Sequence, residues 1–261
     1  EHPTYELLLS AASFFTTNIK RFHRTFNNNF QIDVNEVERA VTSRTKLIVL
    51  ANLHNPTGVY TEKNTLLQIG EIARSVNAYV LVDEVYLDTL FEQFPQTSFH
   101  LGKEFIVTNS LTKVYGFSSL RCGWIFCEET LARRIHELID LLYVNQQHIG
   151  ERMSVVAFQN LSTIHKKYST LLKTNRSLAD AFFSEQPKLE IAHPSFGTTY
   201  FPRLKNGNVE KLCGTLREKF ETSVVPGKFF EMENHFRLGV SCSSETLTEG
   251  LNHLSLALEE L

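Results

Sequence analysis

Phe105-Ile106-Val107-Thr108-Asn109-Ser110-Leu111-Thr112-Lys113-Val114-Tyr115-Gly116-Phe117-Ser118-Ser119-Leu120-Arg121-Cys122-Gly123-Trp124-Ile125-Phe126-Cys127 places two apolar runs on either side of a polar loop. Phe105 to Thr108 is short, apolar and β-branched, as a buried strand is, and Gly123 to Cys127 reads as another. Upstream, Lys46 to Leu50 and Tyr79 to Val82 have the same texture. The segment between those two is helical: Leu66, Ile69, Ile72, Ala73 and Val76 keep helical spacing, and Thr61 is placed to cap them. Asp33 is the expected cap of an earlier helix carrying Val34, Val37, Ala40 and Val41. Strands alternating with helices predict an α/β chain: a three-layer α/β/α, mostly parallel sheet.

From Glu129 to Ser184 the pattern is helical, with Gly150 as the expected interruption. After Pro187 it changes to short strands around Thr199 to Leu204 and Phe236 to Ser241, with helices at Val209 to Phe220 and at the end. This predicts a larger domain over residues 1–183 and a smaller α+β domain over 184–261.

Composition sets bounds. The 261 residues are 42% hydrophobic and 21% charged, enough to build a substantial core. A formal net charge of −3 gives no electrostatic reason to expect nucleic acid. No apolar run approaches bilayer-spanning length, so no membrane partner is expected. Cys122, Cys127, Cys213 and Cys242 form no C-x-x-C pair and no zinc spacing, so no metal is expected; free thiols suit a reducing cytoplasm. The scattered histidines carry no assigned chemistry. There is no signal peptide, and Glu1 as the first residue leads to the expectation of an upstream portion.

In an open α/β sheet, ligands sit outside the carboxyl ends of the strands. Three successive predicted strands are followed there by Asn55-Pro56-Thr57-Gly58, by Asp83-Glu84-Val85-Tyr86, and by Ser110-Leu111-Thr112-Lys113 with Gly116, Arg121, Gly123 and Trp124 beyond. Taken singly, each is ordinary. A strand-end Asp is usually a turn residue, Pro-Thr-Gly is turn chemistry, a lone Arg is usually an ion-pair partner, and loop lysines such as Lys103, Lys166 and Lys167 are solvated. Together they are chemically complementary. Lys113 can form an imine with an aldehyde when its amine is neutral. A carboxylate at a buried strand end needs a cationic partner, which Asp83 would find in a protonated pyridine nitrogen. Asn55 and Tyr86 can hydrogen-bond a ring hydroxyl, and Ser110 with Arg121 can bind a phosphate.

NPTG, DEVY and SLTKVYGFSSLRCGW, in this order and spacing, resemble the class I/II aminotransferases of fold type I, which use pyridoxal 5′-phosphate (PLP). The resemblance implies that Lys113 carries the cofactor as a Schiff base and that Asp83 partners its pyridine nitrogen. It also implies that Asn55 and Tyr86 hold the phenolic oxygen, and that Ser110 and Arg121 bind the phosphate. Pro3-Thr4-Tyr5 resembles the segment whose aromatic ring, here Tyr5, stacks on the cofactor. Pro226-Gly227, Phe230 and Phe236-Arg237-Leu238-Gly239 resemble the segment supplying the substrate-carboxylate arginine, here Arg237. The other reading of Arg237 is a strand arginine bridging to Glu231 or Glu233. Pro194 to Tyr200 resembles the entry to the smaller domain, with Gly197 structural.

The implied activity is ping-pong transfer of an amino group between an amino acid and a 2-oxo acid by a cytoplasmic homodimer. The alternatives are a PLP-dependent β-lyase or decarboxylase of the same fold, or a non-catalytic remnant. Ser119 stands where many relatives have Gly. The resemblance begins inside the family's larger domain, without the turn that cups the phosphate, so weak or absent cofactor binding by this chain is expected.

Overall fold

A computed structural model describes residues 1–261 apart from Thr17, 91–95, 144–146, His193, Ser195 and the side chain of Tyr143. In chain order the elements are α1 (Glu6–Phe15), α2 (Val34–Ala40), β1 (Leu47–Ala51), α3 (Lys63–Ser75), β2 (Tyr79–Asp83), β3 (Phe105–Ser110), β4 (Gly123–Phe126), α4 (Glu129–Tyr143), α5 (His148–Gln159) and α6 (Leu161–Ser184). They continue with β5 (Leu189–Glu190), β6 (Thr199–Tyr200), β7 (Arg203–Leu204), α7 (Val209–Phe220), β8 (Val225–Pro226), β9 (Phe236–Gly239) and α8 (Ser244–Glu259).

Two compact units result. The sheet unit comprises Ile32–Leu53 and Thr61–Tyr168; the terminal unit comprises Glu1–Gln31, His54–Tyr60 and Ser169–Leu261. The sequence expectation cut the chain once, at 183/184. In the compact units the first residues and the 54–60 turn group with the last part of the chain.

In the sheet unit the strand order is β1-β2-β3-β4. β1 and β2 are parallel, as are β2 and β3, and β4 runs antiparallel to β3. The chain is thus α/β with a mostly parallel sheet. Ala51, Asp83 and Thr108 lie in register, so the carboxyl ends of the three parallel strands fall on one edge. Leu50, Val80, Val82, Phe105 and Val107 are almost completely buried, each contributing about 1.5–3 kcal/mol by the area it removes from water. α3 buries Leu66, Ile69, Gly70 and Ala73. Leu111, Val114, Tyr115 and Ala157 form a second cluster, joined by Trp124, Leu161 and Ile164.

The terminal unit has its own core of Phe30, Val59, Ala192, Phe201 and Phe230. β9 pairs antiparallel with β6 and β8. Asn175 of α6 donates to the carbonyls of Val240 and Cys242 at 2.9 and 2.8 Å, fastening the chain just after β9.

Asp33 caps α2 as expected, accepting from Asn35 N–H at 2.9 Å. Thr61 does not cap α3. The cap position is Glu62, and Thr61 N–H instead donates to Asn52 Oδ1 (3.0 Å) while Asn52 Nδ2 donates to Thr61 O (3.1 Å). The helical stretch breaks just before Gly150, between α4, which ends at Tyr143, and α5, which begins at His148. Gly150 lies buried inside α5, where a Cβ would come within 2.7 Å of the Leu120 carbonyl oxygen. The chain leaves α5 at Asn160, whose N–H bonds back to Ala157 O, and α6 follows at once.

Candidate active site

The sheet unit's polar edge begins at Asp83, the last residue of β2 and half-buried. Its Oδ1 accepts from Val85 N–H at 3.2 Å and from Thr108 Oγ1 at 3.3 Å, which ties the ends of β2 and β3 together. The next residue, Glu84, turns away into the protein. It is 2% exposed and accepts from Ser98 N–H and Oγ at 2.7 and 2.5 Å. Burial raises its carboxyl pKa, and the Ser98 bonds pull the other way. Asp-Glu therefore divides its labour: Asp83 stays at the edge while Glu84 anchors the loop. Tyr86 is half-buried just before a short 3-10 turn, Leu87–Thr89.

The loop from β3 to β4 carries the other groups. Its base is closed by the Ser110–Gly123 register and by Leu111 N–H to Cys122 O at 3.0 Å. Ser110 Oγ accepts from Thr112 N–H at 3.2 Å. Leu111, Val114 and Tyr115 are buried, whereas Lys113 between them is exposed, with no ion-pair partner among the described residues. Gly116 follows at φ 74°, a left-handed conformation suited to glycine, and a Cβ there would run into the Tyr168 hydroxyl. Arg121 is exposed, also left-handed at φ 52°, and donates to Ser118 O at 3.3 Å. An acid, a hydroxyl, an amine and a guanidinium thus come from the ends of two adjacent strands and the loop between β3 and β4. That donor set fits a phosphorylated, protonatable heterocyclic aldehyde: a carboxylate for its nitrogen, an amine for its carbonyl, and a hydroxyl and guanidinium for its phosphate.

In the terminal unit, the Asn55-Pro56-Thr57-Gly58 segment is a closed turn, with His54 N–H to Val59 O at 2.9 Å and Gly58 N–H to His54 O at 2.7 Å. The His54 ring is buried against Thr57 Oγ1 (2.7 Å) and Pro3 O (3.0 Å), a satisfied core histidine. Burial first, then the Arg24 charge, holds its pKa well below the usual value. Gly58 packs so closely against β6 that a Cβ would meet Thr199 O at 3.1 Å. Asn55 Oδ1 accepts from Arg237 Nη1 at 2.8 Å, and its Nδ2 has no partner among the described residues. Arg237, on β9, lies over the Phe230 ring at 4.9 Å. The alternative pairing with Glu231 is not formed, because Arg21 holds that carboxylate at 2.7 Å. Tyr5 is half-buried at the start of α1. Ser195, in the expected entry segment, lies outside the described residues, while Gly197 has φ 93°.

Two residues escaped the sequence reading. Asp88 Oδ2 accepts from Tyr115 OH at 2.9 Å and from Asn109 Nδ2 at 3.3 Å. Tyr115 stands two places beyond Lys113 in the opening motif, a position that could have drawn attention to it; an Asp in a polar loop carries no such signal.

A family model described as aminotransferase class I and II matches residues 1–254. A probable aspartate/prephenate aminotransferase of Aquifex aeolicus is 28% identical over 89% of this chain and 62% of its own length. Capreomycidine synthase of Streptomyces vinaceus is 24% identical over 97% of this chain and 66% of its own. The chain therefore spans about two thirds or less of these relatives. A PLP-dependent aminotransferase from Streptococcus suis superposes with a TM-score of 0.93 at 25% identity, covering 99% of this chain and 69% of that one. Thermus thermophilus aspartate aminotransferase superposes at 0.88 and 19% identity over 98% of this chain and 68% of its own, a likeness of fold alone.

Proposed function

The chain belongs to the class I and II aminotransferases, and from that premise we propose that it is part of a PLP-dependent enzyme moving an amino group between an amino acid and a 2-oxo acid. The observation that carries this is the set Asp83, Ser110, Lys113 and Arg121 on one edge of a mostly parallel sheet.

When bound, the cofactor supplies an electron sink for the bond-breaking step at the substrate's α-carbon. The chain's own groups do the rest. Lys113 Nζ would hold the cofactor through its carbonyl carbon and is the amine placed to move a proton at the substrate's α-carbon. The Asp83 carboxylate would accept from the ring N–H and keep that proton in place. By the family resemblance, Ser110 and Arg121 would hold the phosphate, Asn55 and Tyr86 the phenolic oxygen, and Tyr5 would stack on the ring. Arg237 would take the substrate carboxylate with its guanidinium fork. Homodimer assembly, a cytoplasmic setting and the division into a larger domain 1–183 and a smaller one 184–261 belong to the same proposal. No described helix is long and apolar enough to cross a membrane. The relatives' names differ in chemistry, so no single substrate is favoured.

The test is an absorbance titration with PLP, using Lys113→Ala as control. A lysine-bound band in the parent chain that the variant lacks supports the assignment. Identical spectra, with a band in both, would remove Lys113 from its role.

A further inference from the structure

We infer that Tyr115 and Asp88 form a positioning pair, which holds the Lys113 backbone at a set place against the β2 end that bears Asp83. The inference rests on Lys113 as the cofactor-bearing residue.

The argument is geometric and lies wholly within the sheet unit. Lys113 sits on a loop, and loops are where a side chain needed in one place drifts unless something ties its backbone down. Its neighbours supply the tie. Leu111 and Val114 are 0% and 4% exposed, and Tyr115 is 7% exposed. The Tyr115 ring is stacked on His165 at 6.1 Å and 22°. Its hydroxyl reaches across to Asp88 Oδ2 at 2.9 Å, and Asn109 reaches the same oxygen at 3.3 Å. His165 Nε2 lies 3.3 Å from the Asp88 carbonyl oxygen, closing the group from α6. Asp88 is five residues beyond Asp83 on the loop that follows β2. The β2 loop and the β3 loop are thus joined twice, by Thr108 to Asp83 at the strand ends and by Tyr115 and Asn109 to Asp88 farther out. Burial, and then the Asp88 charge and hydrogen bond, push the Tyr115 phenol above its usual range, so the hydroxyl keeps its proton and remains the donor. A charge-assisted bond of this kind resists a side chain's departure more than a neutral one does.

The test compares the chain with its Tyr115→Phe and Asp88→Asn variants. One readout is amide hydrogen exchange over residues 111–117. The other is the fraction of protein modified at Lys113, relative to Lys103, after PLP addition and borohydride reduction. Tyr115→Phe should speed exchange about tenfold or more, the factor that corresponds to one lost hydrogen bond to a charged group, and should lower the Lys113 share several-fold. Asp88→Asn keeps an acceptor oxygen but loses the charge, and should fall between Tyr115→Phe and the parent in both readouts. If Tyr115→Phe fails to fold, Asp88→Ala removes the same bond from the other side and takes its place. Parent-like exchange in Tyr115→Phe overturns the inference, and so does faster exchange with an unchanged Lys113 share. If the parent chain itself labels Lys113 no more than Lys103, the labelling readout drops out and the exchange comparison alone judges the pair.

Discussion

Arg237 Nη1 donates to Asn55 Oδ1 at 2.8 Å, joining residues 182 positions apart. Among the described residues the guanidinium is held by a neutral amide and an aromatic face and not by a carboxylate, so its charge is placed without being cancelled. That arrangement suits the substrate-carboxylate role proposed for Arg237. Asn55 is buried, so removing either partner leaves the other poorly satisfied. We expect Asn55→Ala to cost about 1–3 kcal/mol in urea unfolding. In a double-mutant cycle with Arg237→Ala, the pair should couple by about 1 kcal/mol. Strictly additive costs would mean that the contact contributes nothing to the folded chain.

Gly116 and Gly214 should respond to the same substitution with opposite signs. Gly116 has φ 74°, and a Cβ would collide with the Tyr168 hydroxyl. Gly116→Ala should therefore destabilise by about 1–3 kcal/mol, from strain and collision together. Gly214 lies inside α7, where a Cβ meets nothing within 4 Å. Gly214→Ala should stabilise by about 0.5–1 kcal/mol through helix propensity and reduced unfolded-state freedom. Denaturant midpoints of the two variants against the parent decide the matter, and equal shifts would refute it.

The elements that sequence revealed are those whose signal is local. β1, β2 and β3 announce themselves because buried parallel strands are continuous apolar runs, and Asp33 because a cap acts within its own turn. Gly150 was a near miss: the helical run breaks between Tyr143 and His148, and Gly150, in the first turn of α5, instead makes room for the Leu120 carbonyl. Thr61 misled because Asn52, nine residues earlier, takes its backbone N–H. For Arg237 the nearby glutamates Glu231 and Glu233 were the visible candidates, whereas its partner came from the 54–60 turn. Asp88 was invisible for the same reason, since its partner Tyr115 lies 27 residues away and no periodicity links them.

His235 gives the terminal unit a measurable response to acid. It is 3% exposed, stacked on Phe201 at 4.8 Å and edge-on to Phe26 and Phe30, and both ring nitrogens are unpartnered among the described residues. Burial first, and then the Arg203 charge, lower its pKa from 6.5 to about 4. The folded value lies below the unfolded one, so the unfolded chain takes up the proton first. Stability is therefore intact above pH 6.5, falls as the pH drops below it, and levels off below about 4. At 1.36 kcal/mol per unit the whole loss is on the order of 3 kcal/mol, of which about 2 kcal/mol accrues between pH 7 and pH 5. His235→Phe exchanges the imidazole for a phenyl ring among phenylalanines and removes both the titration and the unsatisfied nitrogens. It should match or exceed the parent's stability at pH 7 and lose markedly less of it by pH 5. Urea unfolding of both chains across that interval is the measurement. Parallel curves would show that the His235 ring is not the group that titrates, and that the unit's response to acid lies with other residues.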